Sequence, residues 1–133
     1  MVFVDTSAWF AAVVPSDPNH HQAANWLAAN SEVLITTDYI IDETLTLLRA
    51  RGERQRAKLL GNNFFEASIA EIYFLTEEDI RQAWAIFEQY DDKGWSFTDC
   101  SSKVVIDEMN ISQAFAFDHH FHQFGTVQVV PNE

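Results

Sequence analysis

Short apolar runs that stop at a carboxylate constrain this chain most: Val2-Phe3-Val4 ends at Asp5, and Ala114-Phe115-Ala116-Phe117 ends at Asp118. Two further acids, Glu43 in IIDETLTLL and Asp99 in SFTDCSS, stand in the early turns of helical patterns. Hydrophobic strands of an α/β fold run through the core and stop where their carboxyl ends meet solvent, so side chains just beyond them converge in one crevice. Ionised carboxylates gathered there repel one another and raise each other's pKa, which destabilises the fold unless a cation is present. Mg²⁺ or Mn²⁺ fits such a pocket, because hard divalent ions take oxygen ligands and retain several waters. Taken singly, Asp5 or Asp99 reads as a helix cap or a surface charge; only the set points to a metal.

The pattern between the acids alternates strand and helix. Val2–Val4 reads as a buried strand, with the Thr6-Ser7 hydroxyls favouring a helix over Ala8–Val13 that Pro15 stops. Asp17-Pro18 opens a second helix running through His20 to Ala29, and Val33–Ile35 is a second strand. Ile40, Ile41, Thr44, Leu45, Leu47 and Leu48 form a helical stripe capped by Thr37 or Asp38 and ending near Gly52. Residues 53–65 continue as a helix bent near Gly61-Asn62-Asn63, followed by a strand over Ile69–Leu75. Thr76-Glu77-Glu78-Asp79 is an N-terminal signature for a helix to Tyr90. Thr98 then caps a helix to about Asn110, and strands follow at Gln113–Phe117 and, as a last edge, Val127–Val130. This order predicts an α/β fold: a central, mostly parallel sheet covered by helices on both faces.

At 133 residues the chain is the size of one domain, read as spanning 1–133, and 47% hydrophobic content suffices for a packed core. Asp5 arrives too soon for a signal peptide, and the apolar stretch Ala8–Val14 is far shorter than the ~20 residues of a membrane helix, so a soluble cytoplasmic protein with no membrane partner is expected. Cys100 is the only cysteine, which excludes an internal disulfide, and its neighbour Asp99 disfavours a nucleophilic thiolate. A net charge of −12 opposes generic nucleic-acid binding. Five of the eight basic residues nevertheless fall in one window, Arg49, Arg51, Arg54, Arg56 and Lys58. That window is either a solvated helical face or a patch for RNA phosphates, with Arg49, Arg51 and Arg54 as its candidate contacts.

Four acids on four elements suit phosphodiester hydrolysis, in which two metal ions about 3.5–4 Å apart activate a water and stabilise the leaving oxygen. The blocks VDTSAWFA, IIDETLTLLRARG, SFTDCSS and AFAFDHHFHQFG, in this order, resemble those of PIN domains, specifically the VapC-type toxin ribonucleases. The resemblance implies a PIN-like three-layer sandwich and a Mg²⁺- or Mn²⁺-dependent endoribonuclease acting on RNA. It also implies a homodimer silenced by a small antitoxin protein. It matches Asp5, Glu43, Asp99 and Asp118 to the acidic metal-binding and catalytic positions and Thr6 and Thr98 to the supporting hydroxyls beside them. The alternative is a non-catalytic PIN-fold module that binds a partner through the same acids. A haloacid-dehalogenase phosphatase is rejected, since it needs a second acid where Ser7 stands.

Asp42 competes with Glu43, because neighbours on a helix point about 100° apart and only one can face the site. Glu43 shares a side with Ile40 and Leu47, which sets it on the inward margin. His119, His120 and His122 suggest Zn²⁺, yet no second Cys or His group stands at ligand spacing apart from His20-His21, and the expected role is a local turn with Phe121 and Phe124 inward and Gly125 ending it. Trp9, Trp26, Trp84 and Trp95 read mainly as core or dimer packing rather than base-stacking platforms.

Overall fold

Val2, Phe3 and Val4 are each fully buried, which successive strand residues achieve only when both faces of their sheet are covered. The computed structural model, which describes Met1–Asn132, sets this strand, β1 (Val2–Val4), at the centre of a five-stranded sheet in which every pairing is parallel. The remaining strands are β2 (Leu34–Thr37), β3 (Glu71–Tyr73), β4 (Gln113–Phe115) and β5 (Gln128–Val130), and the spatial order is β3-β2-β1-β4-β5. Pairs of helices make the crossovers: α1 (Thr6–Val13) and α2 (His20–Ala29), then α3 (Asp38–Ala50) and α4 (Arg54–Phe65), then α5 (Glu77–Gln89) and α6 (Phe97–Glu108). A 3-10 helix (His119–Phe124) precedes β5.

The chain steps outward from β1 to β2 and β3, then returns across the sheet to β4. Because parallel crossovers are right-handed, the reversal puts α5 and α6 on the face opposite α1 to α4. The result is helix, sheet, helix, with a topological switch point between β1 and β4, and a crevice opens at that point beyond the carboxyl ends of the strands. Asp5 follows β1 and Asp118 closely follows β4, so the first and last acids flank the crevice.

Aromatic packing fixes the layers. Trp9 meets Phe64 of α4 edge-on with ring centroids 4.9 Å apart, and Trp26 stacks on Phe115 of β4 at 4.3 Å. Beneath the 3-10 helix, Phe121 is fully buried between Phe3 at 6.2 Å and Phe124 at 4.8 Å. Burial of side chains of this size contributes roughly 1.5–3 kcal/mol each.

Several boundaries differ from the sequence reading, each for a local reason. The cap of α1 is Asp5, whose side chain accepts from the Ser7 amide, so the helix begins at Thr6 rather than after the hydroxyl pair. Asp17 accepts from the Asn19 amide within a turn, and α2 begins only at His20. β2 is shifted to Leu34–Thr37, and α4 passes through Gly61 without a break. An ideal Cβ at Gly61 would meet only Leu45 methyls, at 3.8 and 3.9 Å, so nothing there forces a bend. β3 keeps three residues of the expected seven. β4 stops at Phe115 because the amides of Phe117 and Asp118 turn to the Ser7 hydroxyl. Ser96 caps α6, not Thr98, which lies inside the first turn.

Candidate active site

Four elements bring the acids to the switch point. Asp5 caps α1, and its Oδ2 accepts from the Ser7 amide at 3.1 Å and the Ser7 hydroxyl at 2.6 Å. The Ser7 oxygen in turn accepts from the amides of Phe117 at 2.9 Å and Asp118 at 3.2 Å, which ties the ends of β1 and β4 together. Asp99 stands at the third position of α6 in a reciprocal capping box: Ser96 Oγ accepts from its amide, and its Oδ2 accepts from the Ser96 amide, both at 3.0 Å. Asp118 caps the 3-10 helix, its Oδ1 accepting from the His120 amide at 2.9 Å. On α3, Glu43 is half-buried whereas Asp42 is exposed.

The acids share one electrostatic environment. The Asp5 carboxyl is pushed up to about 7, chiefly by burial, with the Ser7 hydrogen bonds opposing and the charges of Glu43 and Asp99 adding to the rise. Glu43 is also raised, first by burial, against a hydrogen bond from Thr6 and with the charges of Asp99, Asp118 and Asp42 adding. A folded protein that holds carboxyls above their ordinary range has built a site short of positive charge. Beside Asp99 the buried Cys100 thiol rises to about 11, first through burial and then through the Asp99 charge, which leaves it inert as a nucleophile at neutral pH.

Asp5, Asp99 and Asp118 each accept hydrogen bonds from a neighbouring residue. The Thr6 hydroxyl reaches the Ile40 carbonyl of α3 at 3.5 Å and accepts from Thr44 at 2.9 Å, which ties the start of α1 to the helix that carries Glu43. Thr98 offers its backbone carbonyl to the Ser101 hydroxyl at 2.7 Å, and Ser96 has the place beside Asp99. His120, on the 3-10 helix, reaches Asp99 Oδ2 with Nδ1 at 2.9 Å and lies 3.3 Å from Asp118 Oδ1. The spacing Ser96-x-x-Asp99 is a capping-box signature readable in the sequence, whereas the His120–Asp99 contact spans 21 positions and has no local signal. Asp118, His119 and His120 bring ligand atoms within 4.8 Å of one another at the rim, but His120 Nδ1 is already hydrogen-bonded to Asp99 Oδ2.

The basic window lies on the α3–α4 turn, with Arg49, Arg51, Arg54, Arg56 and Lys58 all exposed. Arg56 pairs with Glu53, and Arg51 lies 6.0 Å over the Phe10 ring. Arg49, Arg51, Arg54 and Lys58 have no carboxylate partner among the described residues.

Acids at the carboxyl edge of a parallel sheet in this strand order coincide with a family match: residues 2–127 match the PIN domain. The chain is a PIN domain. A 23S rRNA-specific endonuclease, VapC20 of Mycobacterium tuberculosis, is 32% identical over 98% of this chain and 99% of its own length. A VapC ribonuclease of Archaeoglobus fulgidus is 28% identical over 89% of this chain and 77% of its own. The crystal structure of M. tuberculosis VapC20, described as a sarcin–ricin-loop-cleaving toxin, superposes with a TM-score of 0.91 at 30% identity, covering 98% of this PIN domain and 100% of that chain. FitAcB of Neisseria gonorrhoeae shares the fold at a TM-score of 0.72 and 14% identity, over 98% of this chain and 97% of its own. The PIN domain described here therefore sits among the VapC proteins.

Proposed function

We propose that this protein is a divalent-cation-dependent endoribonuclease, the toxin of a toxin–antitoxin pair, that hydrolyses RNA phosphodiesters with water as nucleophile. The reading is supported chiefly by the shared electrostatics of acids from four elements: Asp5 feels the charges of Glu43 and Asp99, Glu43 those of Asp99 and Asp118, and the Asp5 carboxyl is lifted to about 7. An all-carboxylate donor set of this kind fits Mg²⁺ or Mn²⁺, and these four residues would hold it. When bound, the ion lowers the pKa of water and polarises a phosphoryl oxygen. The chain's own groups do the positioning: Ser7 fixes Asp5, the Ser96 box fixes Asp99, and the Thr6–Thr44 bond ties α1 to the helix that carries Glu43. Arg49, Arg51 and Arg54 are the proposed phosphate contacts, supported by cations that no described carboxylate neutralises.

The similarity to VapC20 makes 23S ribosomal RNA the substrate to test first, and a cytoplasmic location is part of the same proposal. A homodimer is part of the same reading. Trp84 and Phe87 of α5, stacked at 5.9 Å and exposed, and Phe74, 63% exposed, offer it an apolar face. The test is cleavage of 23S RNA with Mn²⁺, with Mg²⁺ and with chelator, using wild type and Asp99→Asn. Cleavage by wild type alone, only with metal, is expected. Metal-independent cleavage, or an Asp99→Asn variant of full activity, overturns the assignment.

A further inference from the structure

We propose that His120 is a positioning residue of this site: its imidazole fixes the spacing of Asp99 and Asp118 and thereby sets how tightly the acids hold a divalent cation. The inference rests on the metal-dependent reading above.

Asp99 belongs to α6 and Asp118 to the loop beyond β4, so their separation depends on how the loop docks. Two ionised carboxylates brought together repel, and in the metal-free protein something must offset that repulsion. His120 is placed to do so from both sides. Its backbone amide donates to Asp118 Oδ1 at 2.9 Å, which ties that carboxylate to the residue itself. Its Nδ1 then reaches Asp99 Oδ2 at 2.9 Å and lies 3.3 Å from Asp118 Oδ1. An ionised carboxylate has only acceptors, so Nδ1 carries the proton and donates.

The ring has little freedom to leave. Its side chain is only 19% exposed, and the next residue, Phe121, is fully buried against Phe3 and Phe124. Asp99 Oδ2 also accepts from the Ser96 amide at 3.0 Å, so one oxygen of Asp99 is fixed by two donors from two elements. No described residue hydrogen-bonds Asp99 Oδ1, which is the oxygen left for a cation. A role for His120 as ligand through Nδ1 would break the bond to Asp99, so the geometry favours orientation over ligation. Outer-layer partners of metal ligands typically change metal affinity 10–100-fold when removed.

The experiment compares wild type, His120→Ala and His120→Asn by calorimetric titration of the metal-free protein with MnCl₂, alongside RNA cleavage kinetics. His120→Ala should weaken Mn²⁺ binding by about 10-fold or more and lower kcat with little change in the KM for RNA. Asn keeps an N–H donor near the place of Nδ1, so His120→Asn should recover most of the affinity. Should His120→Ala not fold, His120→Gln replaces it, since that side chain keeps polarity but carries its donor past Asp99. Wild-type Mn²⁺ affinity in His120→Ala, or a His120→Asn as weak as the deletion, overturns the role of His120 while the metal reading stands. Wild type that takes up no Mn²⁺ overturns the metal reading, and this inference with it.

Discussion

At Asp5 burial and hydrogen bonding act on one carboxyl in opposite directions, and burial prevails, leaving it at about 7 against an ordinary 3.8. The folded state then holds that proton more tightly than the unfolded chain does. By linkage the associated stability is present in full below the unfolded value and is lost as pH rises through about 7. Without metal the protein should therefore melt higher near pH 5 than near pH 8. Asp5→Asn, which still accepts from Ser7 but carries no charge, should remove most of that slope and raise the Tm at pH 8, by an amount on the order of a few kcal/mol of stability. Thermal melts across pH in chelator check this; a variant that melts lower than wild type at pH 8 means that the Ser7 hydrogen bonds outweigh the buried charge. The placement of the acids was legible in the sequence because each stands at a strand end or in an early helix turn, and the choice of Glu43 over Asp42 followed from helical register. The groups that orient them were not equally legible. Ser7 reaches Phe117 and Asp118 only after β1 and β4 pair, and His120 meets Asp99 only after the 3-10 helix docks on α6.

Among the elements, α6 ties helix stability most directly to the site. The reciprocal bonds between Ser96 and Asp99 satisfy two otherwise unpaired backbone amides and aim Asp99 in the same stroke. Ser96→Ala should cost about 1 kcal/mol of stability and reduce cleavage as Asp99 loses one of its anchors. Thr98→Ala, inside the first turn, should change stability by less than about 0.5 kcal/mol. Urea denaturation of both variants beside wild type decides the matter, and equal losses would return the cap to Thr98. The sequence marks α5 without ambiguity, because Thr76 and Asp79 form a capping box with acids filling the first turn. The same spacing at Ser96 is masked by a second hydroxyl, Thr98, two positions on. Helix α4 shows the converse limit: Gly61-Asn62-Asn63 is a breaker by composition, yet Phe64 is buried and packs on Trp9, and tertiary packing carries the helix through. β3 and β4 come out shorter than their apolar runs because side chains and turns take over the backbone partners at their ends.

Across the whole molecule, a net charge of −12 is divided unevenly: four acids stand at the switch point and five cations cluster at the α3–α4 turn. Glu43 and Arg49 share α3, six residues and so about 9 Å apart along its axis and about 120° apart around it. Arg51→Glu with Arg54→Glu should weaken binding of a long RNA and flatten its salt dependence, by about 0.7 in log–log slope for each phosphate of a single strand that the protein no longer neutralises. Cleavage of a dinucleotide should be unchanged, and an unaltered salt slope would make the patch a solvated face. The acidic crevice poses the opposite demand. With neither metal nor RNA bound, Asp5 and Glu43 are held above their ordinary pKa by burial and by neighbouring charge, so a cationic side chain entering the crevice relieves the same repulsion that a metal relieves. Arginine suits the task, since its planar fork pairs bidentately with carboxylates and stays charged when desolvated. An inhibitory partner is therefore expected to insert an arginine among Asp5, Glu43, Asp99 and Asp118, and its binding should be linked to metal. Titration of the purified antitoxin at rising Mn²⁺ measures this: its apparent affinity should fall as Mn²⁺ rises, and replacing the inserted arginine with Ala should abolish that dependence. An affinity indifferent to Mn²⁺, with Arg→Ala variants that inhibit as well as the parent, locates inhibition elsewhere on the surface.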